Sequence, residues 1–216
     1  MAKNKVRKPK AASYTTSGRK LSNNSMVVFI AILIAAGLLG STLVFSFSGA
    51  IGGGRGAANT PQTSEALIKQ YQETLKSNPG DLKTRESLGV EYFTLGTTNL
   101  NSQKPAEGQK QLKLAIAEFE KVLEKNPNNA PVLGDLATSY FYTGNTDKAI
   151  ENARKALVAD PNLAPARMNL GIYLASKQQY AQAIEELKKV PAGTQEETRA
   201  KDMIKQYQEI LGAGKK

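Results

Sequence analysis

Cysteine, histidine and tryptophan are all missing from this chain of 216 residues. Without thiol or imidazole there is no disulfide framework, no zinc site of the usual ligand types, and no serine–histidine or cysteine–histidine catalytic pair. No metal site, cofactor site or catalytic residue is therefore expected. Lack of cysteine leaves the compartment open, since an oxidising exterior would do no harm. Acids are also unevenly placed. Residues 1–25 hold Lys3, Lys5, Arg7, Lys8, Lys10, Arg19 and Lys20 with no acid, and Arg55 adds one more base before Pro61. From Pro61 onward the other 21 of the 29 bases face all 19 acids, so the formal charge of +10 belongs mostly to a tail.

Charge is absent altogether from Met26 to Phe47, where the polar residues are Ser41, Thr42 and Ser46. A helix of that length rises about 33 Å at ~1.5 Å per residue, enough for a ~30 Å hydrocarbon core. A single transmembrane helix is expected over 26–47. The rival is a cleaved signal peptide with Ser46-Phe47-Ser48 as its site, but the apolar stretch exceeds the ~7–15 residues usual for one. Seven bases before the segment and Arg55 alone close behind it put the N-terminus in the cytoplasm and the rest of the chain outside the cell membrane. The leader 1–25 then reads as a cytoplasmic topology determinant that can also hold anionic lipid headgroups at about 1 kcal/mol per base. Nucleic-acid binding is not expected of a tail with one aromatic, Tyr14. Residues 48–60 form a Gly-rich linker. They are not a phosphate loop, because no Gly-Lys-Ser/Thr ends the run and no strand leads into it. Ala36, Gly37, Gly40 and Ser41 are small residues on one helix face that permit homo-oligomerisation.

Beyond the linker one helix signature recurs as Leu88-Gly89-x-x-Tyr92, Leu136-Ala137-x-x-Tyr140 and Leu170-Gly171-x-x-Leu174. The last two are offset by 34 residues (170 − 136). The clearest copy, 130–163, adds Gly144 to close its first helix, Ala149, Ala153 and Ala156 as a small-residue stripe on its second, and Pro161 to end the unit. The period and these places resemble the tetratricopeptide repeat, a helix-turn-helix unit that stacks into a solenoid. The resemblance implies an all-α fold: a right-handed helical solenoid over 61–216, with repeats at about 82–129, 130–163 and 164–197. An orphan second helix at Thr63–Ser77 caps the near end. At the far end Thr194-Gln195-Glu196-Glu197 reads as a capping box for a last helix, 195–211, with Ala200, Met203, Ile204, Tyr207 and Ile210 covering the stack. The first copy carries 14 extra residues: Gly96 to Ala115 is a step of 19, against 5 from Gly144 to Ala149. Thr97–Lys104 is read as a polar loop, with Pro105 opening a lengthened second helix.

In tetratricopeptide-repeat proteins the first helices line a concave face. Matching places give Glu86, Val90, Phe93 and Thr94 from the first copy, Asp135, Thr138, Phe141 and Tyr142 from the second, and Met168, Asn169, Ile172, Ala175 and Ser176 from the third. Phe93 and Phe141 can equally be packing residues. Relatives that clamp the terminal carboxylate of a chaperone tail use lysine, asparagine and arginine at set places. Here Glu86, Val90, Asp135 and Pro165 stand at four of them and only Asn169 agrees, so that ligand is not expected. The resemblance implies a membrane-anchored adaptor whose groove binds a protein or peptide ligand with hydrophobic and basic side chains, supporting assembly of an envelope complex. Structural self-association is the alternative. An enzyme is the weakest reading, since the carboxylate pairs Glu118/Glu120, Glu185/Glu186 and Glu196/Glu197 fall on polar helix faces.

Overall fold

The computed structural model describes residues 61–213, and these form eight α-helices with no strand among them. They are α1 (Pro61–Ser77), α2 (Leu82–Asn101), α3 (Pro105–Lys125), α4 (Ala130–Tyr142), α5 (Thr146–Ala159), α6 (Ala164–Ser176), α7 (Tyr180–Leu187) and α8 (Gln195–Ala213). The basic tail, the apolar segment 26–47 and the linker lie outside the described residues. Among the described residues no helix is long and apolar enough to cross a membrane.

Each helix packs on the next, and short capped turns fix the entries. Asp81 accepts from the Thr84 N–H (3.0 Å), Asn129 from the Val132 N–H (3.3 Å) and Asn145 from the Lys148 N–H (3.2 Å), each satisfying a donor the helix itself leaves open. The turns between repeats are equivalent: Asn78-Pro79, Asn126-Pro127 and Asp160-Pro161 each close with a 3.2 Å backbone bond from the residue three further on. Within the second repeat Gly144 takes a φ of +86°, and its counterpart in the third, Gln178, adopts +61° despite its side chain.

The two helices of each repeat meet through a small residue facing a larger or equally small one. Gly89 lies against the Phe119 ring, Gly171 against Leu187, and in the middle repeat Ala137 and Ala153 hold the same places. Phe119, Ala153 and Leu187 are fully buried, so one site of fixed width is filled three ways. Polar pins reinforce the outer repeats. Arg85 donates to Glu118 (2.6 Å) and to the Pro79 carbonyl (2.7 Å), and Arg167 to Glu186 (2.9 Å) and the Pro161 carbonyl (2.7 Å).

The expected polar loop at Thr97–Lys104 is mostly helix. α2 runs through Gly96 to Asn101, and α2 and α3 have 20 and 21 residues against 13 and 14 for α4 and α5. The insertion is thus shared as about two extra turns on each helix. Two glycines allow this: Gly96 and Gly108 touch so closely that a Cβ on Gly108 would sit 2.8 Å from the Gly96 carbonyl oxygen and from Leu100. The hairpin is therefore sealed by backbone contact, which polar composition alone did not reveal.

At the ends, α1 docks on α2 through Ile68, Tyr71 and Leu75, with Gln72 donating to the Tyr92 hydroxyl (2.7 Å). Buried Ser64 hydrogen-bonds Glu91, whose second oxygen is buried without a partner, and burial raises the carboxyl above its usual range. α8 begins at Gln195, and its entry differs from a capping box. Glu197 accepts from the Gly193 N–H (2.8 Å) and the Thr194 hydroxyl turns back to the Pro191 carbonyl. Ala200 and Tyr207 are buried, with Tyr207 tilted on Tyr180 at 5.6 Å, whereas Ile210 stays 40% exposed.

Candidate functional site

The curvature of the stack follows from which helices touch. α2 contacts α4 and α4 contacts α6, while α3 and α5 do not meet and neither do α5 and α7. The first helices therefore lie closer together than the second helices and line the inner, concave side.

On that side α2 and α4 are joined by Asn129. Its Oδ1 caps α4, while its Nδ2 donates to the Glu86 carboxylate (3.1 Å). The carboxylate of Asp135, one and a half turns into α4, has neither a hydrogen-bond nor an ion-pair partner among the described residues. Part of its surface is open to the groove, yet the protein around it desolvates the charged form. That desolvation, with the Glu86 charge as the lesser cause, pushes its pKa up to about 7. The donors nearby are committed elsewhere. The Tyr173 hydroxyl (3.0 Å) and Asn169 Nδ2 (3.4 Å) both go to Thr138 Oγ1, which itself donates to the Gly134 carbonyl.

The apolar part of the face is graded. Val90 is 36% and Tyr142 42% exposed. Phe93, Phe141 and Ile172 are half-buried and rest on the core, Phe141 stacked on Tyr173 with ring centroids 4.6 Å apart and meeting Tyr142 edge-on at 6.1 Å. Thr94 and Ser176 are half-buried. Met168 and Ala175, expected in the lining, are instead buried in the core. α6 is contacted by α8 as well as by α4, α5 and α7. The extended hairpin reaches this rim: Gln109 of α3 donates to the Tyr142 carbonyl (2.8 Å), one of the acceptors that the end of α4 leaves open. No sequence signal pointed to that contact, which depends on the length of the insertion.

Five of the six carboxylates considered for catalysis are engaged structurally. Glu118 binds Arg85 and Lys121, Glu120 the Tyr140 hydroxyl, Glu185 Lys188, Glu186 Arg167 and Lys189, and Glu197 Lys201. Among the described residues no group of acids could hold a metal ion. A shallow open depression of about 280 Å³ lies between α5 and α7, lined by Arg154, Leu174, Ala181, Gln182, Glu185 and Glu186. Both of its acids are already paired, and it lies among the second helices rather than on the concave face.

Family models described as "Tetratricopeptide repeat" match residues 106–151 and 135–197. The chain is 39% identical over 85 residues to a Protein CTR9 homolog of Arabidopsis thaliana, covering 39% of this chain and 7% of that protein. It is 33% identical over 92 residues to the Small glutamine-rich tetratricopeptide repeat-containing protein 2 of Mycosarcoma maydis, covering 40% and 26%. It thus spans about a quarter or less of the curated relatives it matches. Among solved structures, a crystal structure of MamA superposes with a TM-score of 0.55 at 22% identity, over 70% of this chain and 80% of that one. MamA 41-end from Desulfovibrio magneticus RS-1 gives 0.50 at 22%, over 60% and 70%. At that identity the likeness concerns the fold.

Proposed function

This chain carries tetratricopeptide repeats within an all-helical solenoid, and from that premise we propose that it is a membrane-anchored adaptor whose concave face captures a peptide segment of another protein. The observation that carries the reading is the state of that face. Val90 and Tyr142 expose apolar surface on the same face as a carboxylate, Asp135, that has no hydrogen-bond or ion-pair partner among the described residues. Concave faces of stacked repeats commonly serve as extended binding surfaces. The anchor is residues 26–47, the N-terminus is cytoplasmic and the repeats stand outside, on the strength of the uncharged run and the bases before it. Assembly or support of an envelope complex is the role that suits such a placement, and the basic leader adds contact with anionic lipid.

Crosslinked capture from native membranes by the full-length protein tests this. One dominant partner should be recovered, and Tyr142→Ala should reduce its recovery several-fold, since removing an exposed aromatic anchor takes contact area from the ligand without opening the core. Unchanged recovery with Tyr142→Ala would refute the groove. Recovery of the protein alone would favour self-association.

A further inference from the structure

We propose that the segment held in this groove presents one lysine or arginine side chain between apolar side chains, and that Asp135 receives the cation with Glu86 beside it. The inference rests on the adaptor reading and adds the chemistry of the partner. Charge complementarity carries it. The Asp135 carboxylate accepts no bond from the described residues, its backbone carbonyl taking one from the Ser139 hydroxyl, and the Glu86 carboxylate accepts a single one, from Asn129. The arginines on the same helices are turned away: Arg85 is spent on Glu118 and the Pro79 carbonyl, Arg167 on Glu186 and the Pro161 carbonyl. An acidic ligand would meet two unneutralised carboxylates, and a purely apolar one would desolvate Asp135 with nothing in return. A cation satisfies both acids. Its apolar neighbours have partners on the same face in Val90 of α2 and in Tyr142 and half-buried Phe141 of α4.

Capture of a cation requires ionised Asp135. The groups acting on it are Glu86 from α2, which raises its pKa, and the surrounding protein; Tyr173 of α6 faces it in turn and feels its charge. With a pKa of about 7, roughly half of the groups are protonated at pH 7, so binding a lysine or arginine should expel about half a proton.

The test selects a phage-displayed random dodecapeptide library on the full-length protein in detergent. The chosen peptide is then titrated calorimetrically in phosphate and in Tris at pH 7. Selected sequences should be enriched in a single lysine or arginine flanked by apolar residues. Replacing that residue by norleucine, or Asp135 by asparagine, should weaken binding about tenfold or more. The buffer difference should report about half a proton released, and none for Asp135→Asn. Should Tyr142→Ala abolish binding while Asp135→Asn and the norleucine peptide leave it unchanged, the groove stands and the cation anchor falls. Binding that survives both Asp135→Asn and Tyr142→Ala overturns the groove itself, as does selection of no peptide above background.

Discussion

Replacing Gly171 by alanine tests how the repeats are held together, because the same substitution should change sign with its background. A Cβ at Gly171 would lie 2.7 Å from Leu187 Cγ and 2.8 Å from its Cδ2. Leu187 is 1% exposed and cannot swing aside. Overpacking of this kind costs about 1–3 kcal/mol, offset by the ~1 kcal/mol that alanine gains over glycine inside a helix, for a net loss of about 0–2 kcal/mol. Leu187→Ala alone should cost about 2–5 kcal/mol through lost burial and the cavity left behind. With Leu187 shortened, alanine at 171 meets open space and should stabilise by about 1 kcal/mol. The pair then reproduces Ala137 and Ala153, which the middle repeat already uses. The assay is a double-mutant cycle by urea denaturation followed by circular dichroism, with an expected coupling of about 1–3 kcal/mol. If Gly171→Ala costs the same in both backgrounds to within about 0.5 kcal/mol, the small-against-large account of the helix pairs is wrong.

Two further predictions concern the insertion and the groove. Gly108→Ala would drive a Cβ against the Gly96 carbonyl, a backbone atom that cannot yield. Amide exchange over 97–111 should speed up about tenfold or more while α5–α7 keep their protection, and uniform loss would deny the hairpin its own seal. Asp135→Asn should stabilise the fold by on the order of 2 kcal/mol at pH 8, the partial exposure of the group reducing the full linkage value. The sign comes from a folded pKa of about 7 against the ordinary aspartate value of 3.8. Between those values the native state binds the extra proton, so wild-type stability falls as pH rises toward 7. The gain from asparagine should vanish below about pH 4. A gain independent of pH would show that the surrounding protein does not desolvate Asp135.

The repeat was legible in the chain because its signals are local. Leu136, Ala137 and Tyr140 recur at Leu170, Gly171 and Leu174 after 34 residues, and each reflects what one helix needs to bury against its neighbour. The left-handed turn at Gly144 is equally local, since turn chemistry involves residues only a few apart. Other features depended on contacts between distant parts of the chain. Thr97–Asn101 is polar enough for a loop, and becomes helix because Gly96 meets Gly108 across the hairpin. Met168 and Ala175 share the repeat places of groove residues, yet both are buried in the core, a packing between helices that the repeat spacing does not specify. Asp135 was visible as an acid on a first helix. That its carboxylate has no partner among the described residues, and that crowding by protein and, secondly, Glu86 from another repeat raise its pKa, was decided by the tertiary structure, because desolvation and charge act through space rather than along the chain.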